Sequence, residues 1–141
     1  MVLMLAAALL AARAVIVDSG STNTLGYTIA VDRSGFAVVD PENGSPPRRV
    51  MLAPNLVARF FAAIESAAPL DALPARACGK SKSFGYSIVV RYNGATTPDL
   101  TCAAGKTGAA LAQIAAEIAK SANLRDAAPR HEVPAPAPAA T

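Results

Sequence analysis

Between Leu25 and Val31 every second residue is apolar. Leu25, Tyr27, Ile29 and Val31 alternate with Gly26, Thr28 and Ala30. Strand side chains point to opposite faces with a period of two, so this pattern predicts a strand with one face in a core. Asp32-Arg33-Ser34-Gly35 follows as a turn whose glycine can take positive φ. Phe36-Ala37-Val38-Val39 then reads as the returning strand. A hairpin of this kind presents an apolar face that another element must cover.

Two later segments can supply the cover. Pro54 suits the first position of a helix. Leu56, Val57, Phe60, Phe61, Ile64 and Ala68 then fall on one stripe at helical spacing, and Pro69 stops the run. From Gly105 to Asn123, Leu111, Ile114, Ala115 and Ile118 make a second stripe, with Thr107 as the expected N-cap. Further strands are expected at Val15–Asp18, at the edge segment Arg49–Leu52 and at Tyr86–Tyr92. Asn93-Gly94 is a strong hairpin signal, because both central positions of its turn need positive φ. Ala95-Thr96-Thr97 returns, and Pro98 ends the pairing. Leu70–Ala77 reads as an extended connector. The expected fold is α+β: a two-layer sandwich in which two amphipathic helices cover an antiparallel sheet of about four to five strands.

The ends of the chain differ from its middle. Val2–Ala12 is an unbroken apolar run, too short for a membrane-spanning helix of about 20 residues. It suits a secretory signal, with Ala12-Arg13-Ala14 placing small residues where a signal peptidase reads, so cleavage is expected after Ala14. No Lys or Arg precedes the run, so the signal is atypical or the true start lies upstream. No later run predicts a membrane span. From Ala127 the sequence is AAPRHEVPAPAPAAT, a composition that cannot bury a core and predicts a disordered tail. The expected organisation is a signal peptide over 1–14, one domain over 15–126 and a tail over 127–141.

Cys78 and Cys102 fit no zinc spacing, and the only histidine, His131, lies in the tail. In an exported domain two cysteines are expected to form a disulfide, and the compartment would be periplasmic or extracellular. Extending the Asn93-Gly94 hairpin puts Gly85 opposite Cys102. Residues 79–84 must then fold back for Cys78 to reach it.

Charge and motifs exclude several functions. The formal net charge is +3, from 13 basic and 10 acidic residues that are mostly scattered. Without a basic face or stacking aromatics, no nucleic-acid partner is expected. Gly105-Lys106-Thr107 is similar to the end of a phosphate-binding loop, but Leu100 stands where that motif needs glycine. No nucleotide, metal or other cofactor is expected. Val15–Asn23, VIVDSGSTN, looks like the active-site segment of aspartic proteases, whose chemistry needs two facing aspartates. A chain of this length would have to dimerise, and the crossing apolar-apolar-Gly segment is missing. A dimeric hydrolase using Asp18 therefore stands as a minor alternative to a non-catalytic domain.

The remaining polar constellation lies in loops: SGSTNT at 19–24, GKSKSFG at 79–85 and Thr97-Pro98-Asp99-Leu100. Loops on a rigid scaffold commonly carry binding. The candidate residues are Ser21, Asn23, Lys80, Ser81, Lys82 and Asp99, facing a protein or cell-envelope partner. Lys80 and Lys82 would meet acidic groups, Ser21 and Asn23 would hydrogen-bond, and the disulfide would hold the loop.

These loops also carry a resemblance. SGSTNT before an alternating strand, the Cys78–Gly85 segment, Tyr92-Asn93-Gly94 and Pro98–Cys102 together resemble a family of uncharacterised, exported small bacterial proteins. The resemblance spans most of residues 15–122 and brings no activity or functional residue with it. The layout is also similar, at the level of fold alone, to small secreted protease inhibitors that pack a helix on an antiparallel sheet. A secreted peptidase inhibitor is thus a second alternative.

Overall fold

A computed structural model describes residues 13–80 and 85–122. The expected signal run, residues 81–84 and the tail lie outside them, apart from the leader's last two residues. Six strands form one antiparallel sheet in the order β4-β3-β2-β1-β5-β6. They are β1 (Ala14–Asp18), β2 (Tyr27–Val31), β3 (Phe36–Pro41), β4 (Arg48–Met51), β5 (Ile88–Tyr92) and β6 (Ala95–Thr96). Two helices, α1 (Pro54–Ala67) and α2 (Lys106–Ser121), complete the α+β fold.

The period-two alternation holds over Tyr27–Val31 but fails at Leu25, which lies before the strand and is exposed. Tyr27, Ile29 and Val31 are buried while Thr28 and Ala30 are only partly covered. Ile29 pairs with Ile16 on β1 and with Val39 on β3, so the inward residues of three strands line up. Against them pack Phe60 and Ile64 from α1 and Leu111 and Ile118 from α2, all in one core. Ala14 opens β1, is fully buried and pairs with Val31. The expected leader boundary after Ala14 therefore falls one residue inside the central strand.

Both turns form as their residues require. Gly35 sits at φ +95°, and Asn93 and Gly94 sit at +51° and +79°. In the β2–β3 turn, Asp32 Oδ1 accepts the amides of Ser34 at 2.9 Å and Phe36 at 3.2 Å. Arg33 from this turn reaches across to α1. Its guanidinium lies 4.5 Å from the centroid of the Phe61 ring and donates to Glu65 at 2.9 Å and to the Tyr92 hydroxyl at 3.1 Å. At the other helix, Arg48 donates to the Ala122 carbonyl at 2.6 Å, satisfying an end that has no intrahelical donor.

Four local expectations are corrected. The return arm of the β5 hairpin is only two residues long, so the ladder does not extend to Cys102. Pro98 breaks it, and Cys102 ends a 3-10 turn at Leu100–Cys102. The connector 70–77 is not uniformly extended: Leu70–Ala72 is a 3-10 turn that buries Leu70. Helix α2 is capped by Gly105 at φ +112°, and Thr107 lies exposed inside the first turn. Only glycine can easily make that bend out of the preceding extended segment. Finally, α1 ends before Ala68, which is extended because it precedes proline, and Ala67 fills the stripe instead.

Candidate functional site

Strand β1 is the hub of the site because it has a partner on each side. Asp18 at its end pairs with Tyr27 on β2 and with Ile88 on β5. The next residue continues the second pairing: the Ser19 amide donates to the Ser87 carbonyl at 3.0 Å, and the Ser87 amide donates to Ser19 Oγ at 2.9 Å. The loops after β1 and before β5 therefore leave the sheet side by side, although Ser19 and Ser87 are 68 positions apart in sequence.

The first loop is tightly wound. The Gly20 amide donates to Asp18 Oδ1 at 2.8 Å. Gly20 sits at φ +65°, and a Cβ there would lie 2.5 Å from the Gly26 amide nitrogen. The Ser21 amide donates to the Thr24 carbonyl at 3.0 Å, and the Ser21 and Thr24 hydroxyls lie 2.6 Å apart. The Asn23 amide donates to Ser21 Oγ at 3.3 Å. Ser21 thus spends its hydroxyl within the loop, whereas Asn23 is exposed at its tip.

Asp18 is 9% exposed. Burial raises its pKa above the ordinary value. The Gly20 amide and the Tyr27 hydroxyl pull the other way, and the Glu42 charge adds to the rise. Burial and the Asp18 carboxylate also push the Tyr27 hydroxyl up. Tyr27 therefore keeps its proton beside the Asp18 carboxyl.

The second loop is fastened twice. Cys78 and Cys102 form a disulfide with Cα atoms 5.7 Å apart. What brings them together is a short backbone pairing: Arg76 donates to the Cys102 carbonyl at 3.0 Å, and Ala104 donates to the Pro74 carbonyl at 3.2 Å. Beyond it, Lys80 Nζ donates to Asp99 Oδ2 and to the Tyr86 carbonyl. The other oxygen of Asp99 accepts the Ile88 amide at 3.1 Å, the Thr101 amide at 3.0 Å and the Thr101 hydroxyl at 2.9 Å. Burial alone would raise the Asp99 pKa, but the Lys80, Thr101 and Ile88 bonds together bring it below the usual carboxylate value.

The expected residues thus separate into kinds. Lys80 and Asp99 satisfy each other, and each side chain is 27% exposed. Ser21 closes its own loop, and Asn23 is displayed. Ser81 and Lys82 lie outside the described residues. Two exposed residues at this end were not expected from sequence, Leu25 at 40% and Tyr86 at 43%. An apolar residue next to a turn was a visible signal, but its exposure depended on which strands are neighbours.

Among the described residues no group of three His, Cys, Asp or Glu could hold a metal ion. No helix among them is long and apolar enough to cross a membrane. A shallow groove of about 330 Å³ lies over α1, lined by Arg33, Val57, Phe61 and Glu65. Its two charges are already paired with each other. Set against protein-family models, curated proteins and solved structures, the chain matches none.

Proposed function

We propose that this is an exported, non-catalytic domain that binds a protein or cell-envelope partner through the loops 19–25 and 79–87. The observation that carries the reading is the Ser19–Ser87 pairing, which joins the two loops into one surface. On that surface Asn23, Leu25 and Tyr86 are exposed around hydrogen-bonded backbone. An exposed tyrosine is a residue that protein contacts favour. The charge of Lys80 is matched by Asp99, so within this reading Lys82 is the cation left to meet an acidic group. Export is supported by the disulfide, which persists in an oxidising compartment.

The internal engagement of Asp18 favours binding over hydrolysis. Its carboxyl faces its own turn and Tyr27, and it is almost fully covered. A photo-crosslinking residue placed at Asn23 or at Tyr86, in cells that make the protein, tests the reading. Both positions should trap the same species, while one at Lys120 on α2 should not. Different species from the two positions, or none from either, would refute the shared surface. A trapped peptidase that the purified domain inhibits would select the inhibitor alternative.

A further inference from the structure

The sheet has a second face, and it is apolar. On the inner face Ile16, Ile29, Val39 and Val90 are fully buried beneath the helices. The residues between them point the other way. One row across that outer face reads Arg49, Val38, Ala30, Val15, Arg91, and the next reads Asp40, Thr28, Val17, Val89. None of these belongs to the core or to the partly buried residues packed against it. At one corner Phe36 pairs with Met51, which is 70% exposed. The middle of this face is therefore a band of valines, and its flanks carry charge.

The placement of those charges is self-complementary. Asp40 lies on β3 and Arg91 on β5, on opposite sides of the midline between β1 and β2. Neither makes an ion pair among the described residues. A two-fold axis along that midline, parallel to the strands, lays β3 of one copy over β5 of the other. Asp40 of each copy then stands one row from Arg91 of the other, about 7 Å along the strand, within reach of an arginine side chain. Ala30 faces Val15 and Thr28 faces Val17, so the apolar band closes on itself.

Six short strands at about 4.8 Å spacing and about 3.3 Å per residue give roughly 430 Å² of flat face per copy. Two copies bury nearly 900 Å² before corrugation is counted, below the ~1,200 Å² of a stable interface and the size of a weak, reversible one. We infer that a second copy of this chain covers the outer face. The dimer is a sheet-on-sheet sandwich, with Asp40 of each copy paired to Arg91 of the other. This surface is distinct from the loops at the sheet end.

The test is the association state of the purified full chain by sedimentation equilibrium. A dimer in the micromolar range is expected, and Val17→Asp should dissociate it. Since that change could also disturb folding, the decisive variants are at the rim. Asp40→Arg alone and Arg91→Asp alone each place like charges together and should weaken the dimer about tenfold or more. Mixed in equal amounts, the two variants bring opposite charges together at both contacts and should form a heterodimer as tight as the original. A chain that stays monomeric at millimolar concentration overturns the inference. So does a dimer indifferent to the single reversals, or a mixture no tighter than either variant alone.

Discussion

Ser19 and Ser87 hold each other through two hydrogen bonds, one from each backbone amide, at 3.0 and 2.9 Å. One of the two acceptors is the Ser19 side chain, so a single hydroxyl supplies half of the pairing that carries β1 and β5 past the strands. Replacing Ser19 with alanine should leave the Ser87 amide without its acceptor. The expected cost is about 1 kcal/mol, and the Ser87 amide should exchange with solvent faster while those within β5 stay protected. Unchanged exchange at Ser87 would show that the bond does not hold the loop.

Three carboxylates, Asp18 and Asp99 at the site and Asp32 in the β2–β3 turn, respond to acid in opposite senses. Asp99 and Asp32 have pKa values below the ordinary 3.8, because the hydrogen bonds they accept outweigh burial. The stability they add is present above pH 3.8 and is lost as pH falls below it. Asp18 is raised by burial, so its contribution is fullest below 3.8 and is lost as pH rises through its higher folded value. Asp99→Asn should therefore lower the Tm at pH 7 and matter little at pH 2. Asp18→Asn keeps an acceptor for Gly20 and removes the buried charge, so it should raise the Tm at pH 7 and do nothing at pH 3. Thermal melts from pH 2 to 8 check both signs.

Gly20 carries a backbone requirement that no other residue meets cheaply. Alanine at φ +65° costs about 1–2 kcal/mol, and its Cβ would press on the Gly26 amide. Gly20→Ala should lower the Tm by roughly 4–8 °C for each kcal/mol lost. Gly44, also at positive φ, has nothing within 4 Å of the site for a Cβ. Gly44→Ala should lose only the conformational share, and the difference between the two measures the crowding.

Joining Cys78 to Cys102 closes a sequence separation of 24 residues. In the chain-entropy description such a link contributes roughly 3–4 kcal/mol, a sizeable part of the ~5–15 kcal/mol of a small domain. Reduction, or a double change to serine, should lower the Tm by several degrees. The Lys80–Asp99 contact should loosen with it, since both hold the same segment. An unchanged Tm on reduction would place the 74–76 pairing, not the disulfide, as the fastener.

The readable parts of the sequence were those whose rules are local. Alternation located β2, the Asn93-Gly94 dipeptide located its turn, and the stripe of Phe60 and Ile64 located the helix face. Each depends on residues within a few positions of one another. What could not be read was adjacency. Nothing near Ser19 announces Ser87, and nothing near Pro74 announces Ala104, because the first bond is settled by the order of strands and the second by a lone bridge between distant segments. The site followed the same division. The loops were identifiable by composition, but the pairing that spends Lys80 on Asp99 and leaves Tyr86 exposed was not. Gly105 took the cap expected of Thr107 because the chain enters the helix from a paired segment that a local rule does not see.

The central position of β1 also decides how the molecule bears load. Its ladders to β2 and β5 are antiparallel, with hydrogen bonds running across the strand direction. A pull on the chain ahead of Ala14, directed along the strand, strains both ladders in shear. Their bonds must give way together, whereas a pull on β4, at the sheet edge, can peel one ladder bond by bond. A tether joined ahead of Ala14 would thus load both ladders of β1 at once.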